Sequence, residues 1–292
     1  MMLKPEDREE GAAFAFRVAS ECCVDSDNDW GCTGYHALWQ YLRFTGIQPS
    51  ISRDHSVLSA LLHEALLGVD APHVLISGAA DYGLLELLGE WSHVTKRSVT
   101  VDVVDRCETP LRVNRWFAEK AGLSLQCYHC DFRYFTPSTS YDLVAAHSFI
   151  SMFELSERQA LVEKWSSLLK PKGHLLTTTR VYKTSRARKR NRPNVREAND
   201  RLIQLLDGLK LKGWNPPCAE PELLNLLREI YLQRPAKEIV VGAQLFEMLQ
   251  NAGFSLSQLR KDEAAAPGVD SLVGSPEGLH VSERITLLAV KT

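Results

Sequence analysis

The sequence predicts an α/β fold built on a mostly parallel sheet with helices on both faces, and three observations carry that expectation. Short apolar runs read as buried strands, and they alternate with amphipathic helical runs from Pro72 to Val181. The first four strands also end on residues able to bind or react, at the place where an open parallel sheet takes its ligands, outside the carboxyl ends of its strands.

The first 70 residues are helical and form an N-terminal cap. AAFAFRVASECC opens it. GYHALWQYLRFTG places Tyr35, Leu38, Trp39 and Leu42 on one face and stops at Gly46. DHSVLSALLHEALLG starts on Asp54 as N-cap and stops at Gly68. The core occupies residues 71–182. HVLIS is its first strand, followed by a glycine turn and the helix YGLLELLGEW. SVTVDVVD ends on Asp105, and TPLRVNRWFAEKAG follows with Pro110 in its first turn. SLQCYHCDF ends on Asp131, YDLVAAH is the fourth strand, and ERQALVEKWSSLLK is a helix closed by Pro171 and Gly173 before the strand HLLTTTRV. Residues 183–237 read as a helical insertion, with helices in VREANDRLIQLLDGLK and PELLNLLREIYLQ. The core resumes over 238–292 with the helix GAQLFEMLQNAGF, the strand SLSQLR, a loop rich in Gly, Pro and small residues, and the closing strand ERITLLAVKT.

Composition excludes several classes. A formal net charge of −2 over 292 residues gives no global attraction to nucleic acid or membrane. No apolar run is long enough to span a bilayer, and the acidic start MMLKPEDREE is unlike a signal peptide, so a cytoplasmic protein is expected. Seven cysteines at irregular spacing do not make a disulfide framework. Cys127 and Cys130 lie three apart on a strand and face opposite sides, so they cannot share a metal. Cys22, Cys23, Cys32 and His36 form a tighter group, but their spacing matches no zinc pattern, and no metal is expected.

The chemistry concentrates at strand ends. The turn Gly78-Ala79-Ala80-Asp81-Tyr82-Gly83 follows the first strand, and Asp105 lies 22 residues beyond Gly83, placed to accept both hydroxyls of a ribose. Asp131-Phe132 offers an acceptor and a ring for a purine base. His147, Ser148 and Phe149 enter the same crevice. A pyrophosphate is disfavoured, since alanine stands where a second glycine is wanted and Asp81 adds negative charge. Each residue has a structural alternative: Asp105 and Asp131 as turn or cap residues, Asp81 as a helix N-cap, His147 as a satisfied core histidine.

The element order, the SLLKPKGHLLTTTRV segment, YDLVAAHSFISMF and the tail LFEMLQNAGFSLSQLR…ERITLLAVKT resemble the class I S-adenosylmethionine-dependent methyltransferases. The resemblance spans roughly residues 72–182 and 238–292 and implies a Rossmann-like, seven-stranded sheet whose last strand is antiparallel. It implies S-adenosylmethionine as cofactor, leaving as S-adenosylhomocysteine, with contacts from Ser77, Gly78, Ala79, Ala80, Asp81, Gly83, Asp105, Arg106, Asp131, Phe132, His147 and Ser148. The glycine loop departs from the family: Ile76 replaces an acidic residue, Ala80 a glycine, and Gly83 is displaced. Asp81 is then the residue able to reach the cofactor's ammonium. His147 is the candidate general base. Tyr35, Trp39, Arg53, His55, Phe149 and Met152 are lid or substrate candidates. For Tyr35 and Trp39, helical spacing equally suits a packing role.

These readings converge on methyl transfer to an O or N atom of a small metabolite. Two alternatives stay open. KTSRARKRNRPN carries six basic residues between Lys183 and Arg192, which would suit an RNA or protein methyltransferase. The altered loop suits a protein that binds S-adenosylmethionine without transferring the methyl. No membrane partner is expected, and the sequence leaves a homodimer open.

Overall fold

The structure is a computed structural model that describes residues 4–23, 32–48, 50–182, 195–230, 240–263 and 282–292. Helices α1 (Pro5–Cys22), α2 (Thr33–Phe44) and α3 (Ser50–Ala65) precede the first strand. The core then alternates through β1 (His73–Ser77), α4 (Gly83–Thr95), β2 (Thr100–Asp105), α5 (Glu108–Ala121), β3 (Ser124–His129), β4 (Tyr141–His147), α6 (Leu155–Leu168) and β5 (Leu169–Tyr182). Helices α7 (Val195–Lys212) and α8 (Glu220–Arg228) follow, and α9 (Gly242–Asn251), β6 (Phe254–Glu263) and β7 (Ser282–Lys291) complete the chain. The strands form one sheet in the order β3-β2-β1-β4-β5-β7-β6. All neighbours are parallel except β7, which runs antiparallel to β5 and to β6.

This order explains the apolar strand sequences. A strand covered by helices on both faces must be apolar on both sides. Val74 and Ile76 of β1 pack on one face, among α3, α4 and α5, while Leu75 packs on the other, among α6 and α9. The chain leaves β1 toward β2 and β3, then returns to place β4 on β1's other side, so the order reverses between β1 and β4. The crevice at their carboxyl ends is where such sheets take ligands.

The KPKG segment continues β5 instead of closing α6. Its residues form a bulge between the pairs Tyr141↔Leu169 and Leu143↔His174, with Lys172 left-handed at φ 63°. Helices α1, α2, α7 and α8 share an apolar cluster that includes Leu38, Leu42, Leu205 and Leu227, so the amino-terminal and inserted helices pack as one layer. Helix α3 belongs elsewhere, with Leu58, Leu61 and Leu62 packed in the sheet-face cluster. It begins at Ser50, four residues before Asp54. Asp54 is therefore inside the helix and buried (1% exposed), where it cannot act as the expected cap. No helix among the described residues is long and apolar enough to cross a membrane.

Candidate active site

The turn after β1 is shaped by two glycines with different duties. Gly78 takes φ +73°, and a Cβ there would come within 2.3 Å of the Phe149 ring, so both conformation and space exclude a side chain. Its N–H donates to the Val104 carbonyl at 2.9 Å, tying the turn to the end of β2. Gly83 opens α4, and a Cβ on it would meet Ile51 Cδ1 at 2.9 Å and Asp81 Oδ1 at 3.0 Å. It allows α3 to approach closely. Between them Tyr82 is wholly buried and stacks on Phe117 at 4.7 Å, so the displaced second glycine leaves room for an aromatic anchor. Ile76 is equally buried, inside the sheet.

Asp105 binds the turn through its side chain. Oδ2 accepts the Ala79 N–H at 2.9 Å and Oδ1 accepts the Cys107 N–H at 2.8 Å. Burial raises its pKa, while the Ala79 N–H acts in the opposite sense. A carboxylate has about four lone-pair sites, so two remain for incoming hydroxyls. The neighbouring Arg106 is exposed, and its carbonyl accepts from His129 Nε2 at 3.1 Å. Asp131 is more heavily committed. Its carboxylate accepts the Arg133 N–H at 2.9 Å and is gripped by that guanidinium, which holds its pKa low. Phe132 is buried and meets Phe149 edge-on at 5.7 Å.

Three expected contacts turn out to be engaged elsewhere. The Ser77 hydroxyl accepts the Trp165 indole N–H at 2.9 Å within the core. Asp81 is 5% exposed, with Oδ1 accepting the Gly83 N–H at 2.8 Å and Oδ2 accepting Arg43 Nη1 at 3.0 Å. Its side chain bonds the first N–H of α4 and lies buried against the Arg43 guanidinium, so it is turned to that cation and not presented to a ligand's ammonium. His55 is exposed on α3 and bonds Glu90 of α4 at 2.6 Å, on the flank of the core.

The Arg43–Asp81 contact belongs to a buried network. Arg43 Nη2 also donates to Glu86 at 2.8 Å, and Arg8 approaches the other Glu86 oxygen at 3.6 Å. Burial alone would lower the Arg43 pKa, but the Asp81 and Glu86 carboxylates raise it and keep the guanidinium charged. Helices α1 and α2 are thereby bonded to the turn and to α4.

A second network stands at the end of β4. His147 Nε2 lies 3.0 Å from Asp54 Oδ2 and 2.9 Å from Arg284 Nη2, and Arg284 Nε donates to both Asp54 oxygens at 2.9 and 2.8 Å. One nitrogen cannot serve both neighbours: with a proton it donates to Asp54, without one it accepts from Arg284. Burial lowers the His147 pKa, while the Asp54 carboxylate opposes that shift. The imidazole is held neutral and oriented. Ser148 follows in a left-handed conformation, φ +58°, which is strained for a residue with a Cβ. Its N–H donates to Thr178 at 2.7 Å, and its carbonyl accepts the Ser151 hydroxyl at 2.7 Å.

Around this edge, Phe149 touches Phe132, Phe153 and Trp165, with Met152 half-buried beside them. Tyr35 and Trp39 are half-buried on α2 and pack on each other at 4.9 Å. Arg53 is half-buried on α3. Arg43, Asp54 and Arg284 were not anticipated. Arg284 left a signal, a cation directly before the apolar ITLLAV run, and it stands opposite Arg180 in the β5–β7 ladder. Arg43 and Asp54 left none, since both sit in ordinary amphipathic helical patterns. The basic run Lys183–Arg192 lies outside the described residues.

No family model matches the sequence, and no curated protein does. Solved structures do match. The chain is similar to the [4+2]-cyclase SpnF, with 14% identity, a TM-score of 0.52 and coverage of 83% of this chain and 82% of that one. It is similar to magnesium protoporphyrin IX methyltransferase (ChlM) from Synechocystis PCC 6803 with bound SAM, at 13% identity and TM-score 0.51 over 88% and 93% of the two chains. It is also similar to the N-methyltransferase NodS from Bradyrhizobium japonicum WM9 in complex with S-adenosyl-l-homocysteine, at 8% identity and TM-score 0.50 over 95% and 98%. With its strand order, its antiparallel β7 and its glycine turn at the switch point, the chain has the class I S-adenosylmethionine-dependent methyltransferase fold.

Proposed function

We propose that the protein binds S-adenosylmethionine at the carboxyl edge of β1–β4 and transfers its methyl group to an O or N atom of a small molecule. The observation that carries this reading is Asp105, whose two oxygens hold the glycine turn by backbone N–H groups and keep lone pairs for a ribose. The residues fit the cofactor at this point, because Asp105 keeps acceptor positions beside the backbone of the turn it holds. Phe132 is part of the apolar cluster behind the base end of the crevice, and Ala79 and Ala80 line the turn. When bound, the cofactor supplies an activated methyl on a sulfonium, and the protein's task is placement.

His147 serves as the general base. With Nε2–H donated to Asp54, its Nδ1 lone pair is left to take a proton from the acceptor, and burial keeps that lone pair free near neutral pH. Asp54 and Arg284 are positioning residues for this ring. Phe149 and Met152 form the apolar wall, and Tyr35, Trp39 and Arg53 close the crevice from α2 and α3. The net charge of −2 supports a small acceptor over a nucleic acid.

A second reading, a protein that uses this fold for chemistry other than methyl transfer, is favoured by the likeness to a structure named as a [4+2]-cyclase. Isothermal titration with S-adenosylmethionine is the first test, with saturable binding expected; absence of heat at millimolar ligand overturns the cofactor assignment. Mass spectrometry of metabolite extracts incubated with protein and cofactor then separates the readings. A product one methyl heavier, formed with S-adenosylhomocysteine, supports transfer. Binding without either product supports the second reading.

A further inference from the structure

The chain brings together four buried side chains that are far apart in sequence: Cys23, just beyond α1; Cys32 and His36, on the first turns of α2; and Cys107, at the start of α5. Their ligating atoms all lie within 4.8 Å of one another. Cys107 Sγ is 3.7 Å from Cys23 Sγ and 3.8 Å from Cys32 Sγ. His36 Nδ1 is 3.3 Å from Cys23 Sγ and 3.4 Å from Cys107 Sγ. None of the three cysteines is in a disulfide.

These separations are those of a coordination tetrahedron. Zinc–sulfur bonds of about 2.3 Å and zinc–nitrogen bonds of about 2.0–2.1 Å place sulfurs roughly 3.8 Å apart and sulfur and nitrogen roughly 3.5 Å apart. Two further features favour thiolates here. Cys32 and Cys107 stand at the N-caps of α2 and α5, where helix dipoles stabilise negative charge, and neither makes a side-chain capping bond. Both replace the Ser, Thr, Asp or Asn usual at that position. The buried Thr109 hydroxyl lies 3.1 Å from Cys23 Sγ, where it can donate to a thiolate and orient it. Cys32 and His36 are four apart on a helix and so share one face.

We propose that Cys23, Cys32, His36 and Cys107 form a structural zinc site. Four protein ligands close the tetrahedron and leave no position for substrate, so the metal's role is architectural. It clamps α1 and α2 onto the start of α5. Cys107 donates its N–H to Asp105, so the clamp meets the crevice at the residue that holds the glycine turn. The expectation of no metal came from reading Cys22, Cys23, Cys32 and His36 as the set. The fourth ligand is Cys107, and Cys22 is half-buried outside the cluster. This site is independent of the proposed cofactor and reaction.

The test uses the full chain purified without a polyhistidine tag. Elemental analysis should give about one zinc per chain, and cobalt(II) added to chelator-treated protein should give the visible bands and sulfur-to-metal charge transfer of a tetrahedral thiolate site. Zinc should then bleach that spectrum. Cys23→Ser and Cys107→Ser should each reduce bound metal at least about tenfold, while Cys22→Ser and Cys130→Ser retain it. Wild-type protein that is folded by circular dichroism, holds less than about a tenth of an equivalent of zinc and gives no cobalt spectrum overturns the proposal. So does full metal content in both Cys23→Ser and Cys107→Ser, or a disulfide between any two of the three cysteines in non-reduced peptides. If the serine variants fail to fold, the wild-type cobalt spectrum alone decides, since its charge-transfer bands require thiolate ligands.

Discussion

The two halves of the sheet's carboxyl edge solve the same problem with different means. At the β1–β2 half, the key carboxylate is fixed locally: Asp105 accepts N–H groups from Ala79 and Cys107, and the turn it secures is a few residues long. At the β4 half, His147 is fixed by Asp54 and Arg284, which lie 93 and 137 positions away. The first arrangement rests on backbone groups that any sequence provides. The second rests on side chains from α3 and β7 that meet only when the whole sheet is assembled. The Asp105 bonds are therefore robust to changes in distant side chains, whereas the proposed base depends on α3 and β7 being in place.

The largest effect should come from cutting the cap away from the turn. Arg43→Met leaves Asp81 and Glu86 buried without their shared cation, and should destabilise the protein by about 3–5 kcal/mol. Denaturant titration measures this, and a loss below about 1 kcal/mol would mean that the network is not holding the cap. Next, His147→Asn should lower the turnover of bound substrate by about a hundredfold or more, with S-adenosylmethionine affinity little changed. Asp54→Asn should give a smaller loss and a diagnostic shift. Asp54 raises the His147 pKa against the lowering by burial, so its removal moves the acid limb of the pH–rate profile to lower pH. An acid limb that moves upward instead would exclude His147 as the base.

Asp105→Ala should weaken S-adenosylmethionine binding by roughly tenfold to a hundredfold, the range expected for hydrogen bonds to a charged group. Asp81→Ala should weaken it much less, because the Asp81 carboxylate is buried in an ion pair with Arg43. Equal or reversed losses in calorimetry would move the ribose away from Asp105. The smallest effect is expected for neutralising the basic residues between Lys183 and Arg192, which should leave small-acceptor turnover unchanged. Loss of RNA binding on that change would instead favour a nucleic-acid substrate.

Much of the site was legible because it follows rules of local geometry. Asp105, Asp131 and His147 stand at strand ends, and strand ends can be read from apolar runs bounded by polar residues. Gly78 was legible for the same reason. What stayed hidden were the partners. Asp54 looked like a helix cap because the four preceding residues carry no strong helical signature, and packing of α3 on the sheet supplied what local propensity did not. Ser77 read as a polar strand-end residue facing a ligand, yet Trp165 of α6 takes its hydroxyl. Nothing in the sequence around Cys107 points back to Cys23.

By itself the sequence determined the alternation of strands and helices, the switch-point turn and the order of acidic strand ends. Each of these depends on periodicity and on contacts within a few residues. Only the tertiary structure decided that Asp81 faces Arg43, that His147 faces Asp54 and Arg284, and that three cysteines and a histidine share one buried point. Those meetings depend on how α1, α2 and α3 dock on the sheet, and the burial of apolar surface that drives docking is non-directional and names no partner residue.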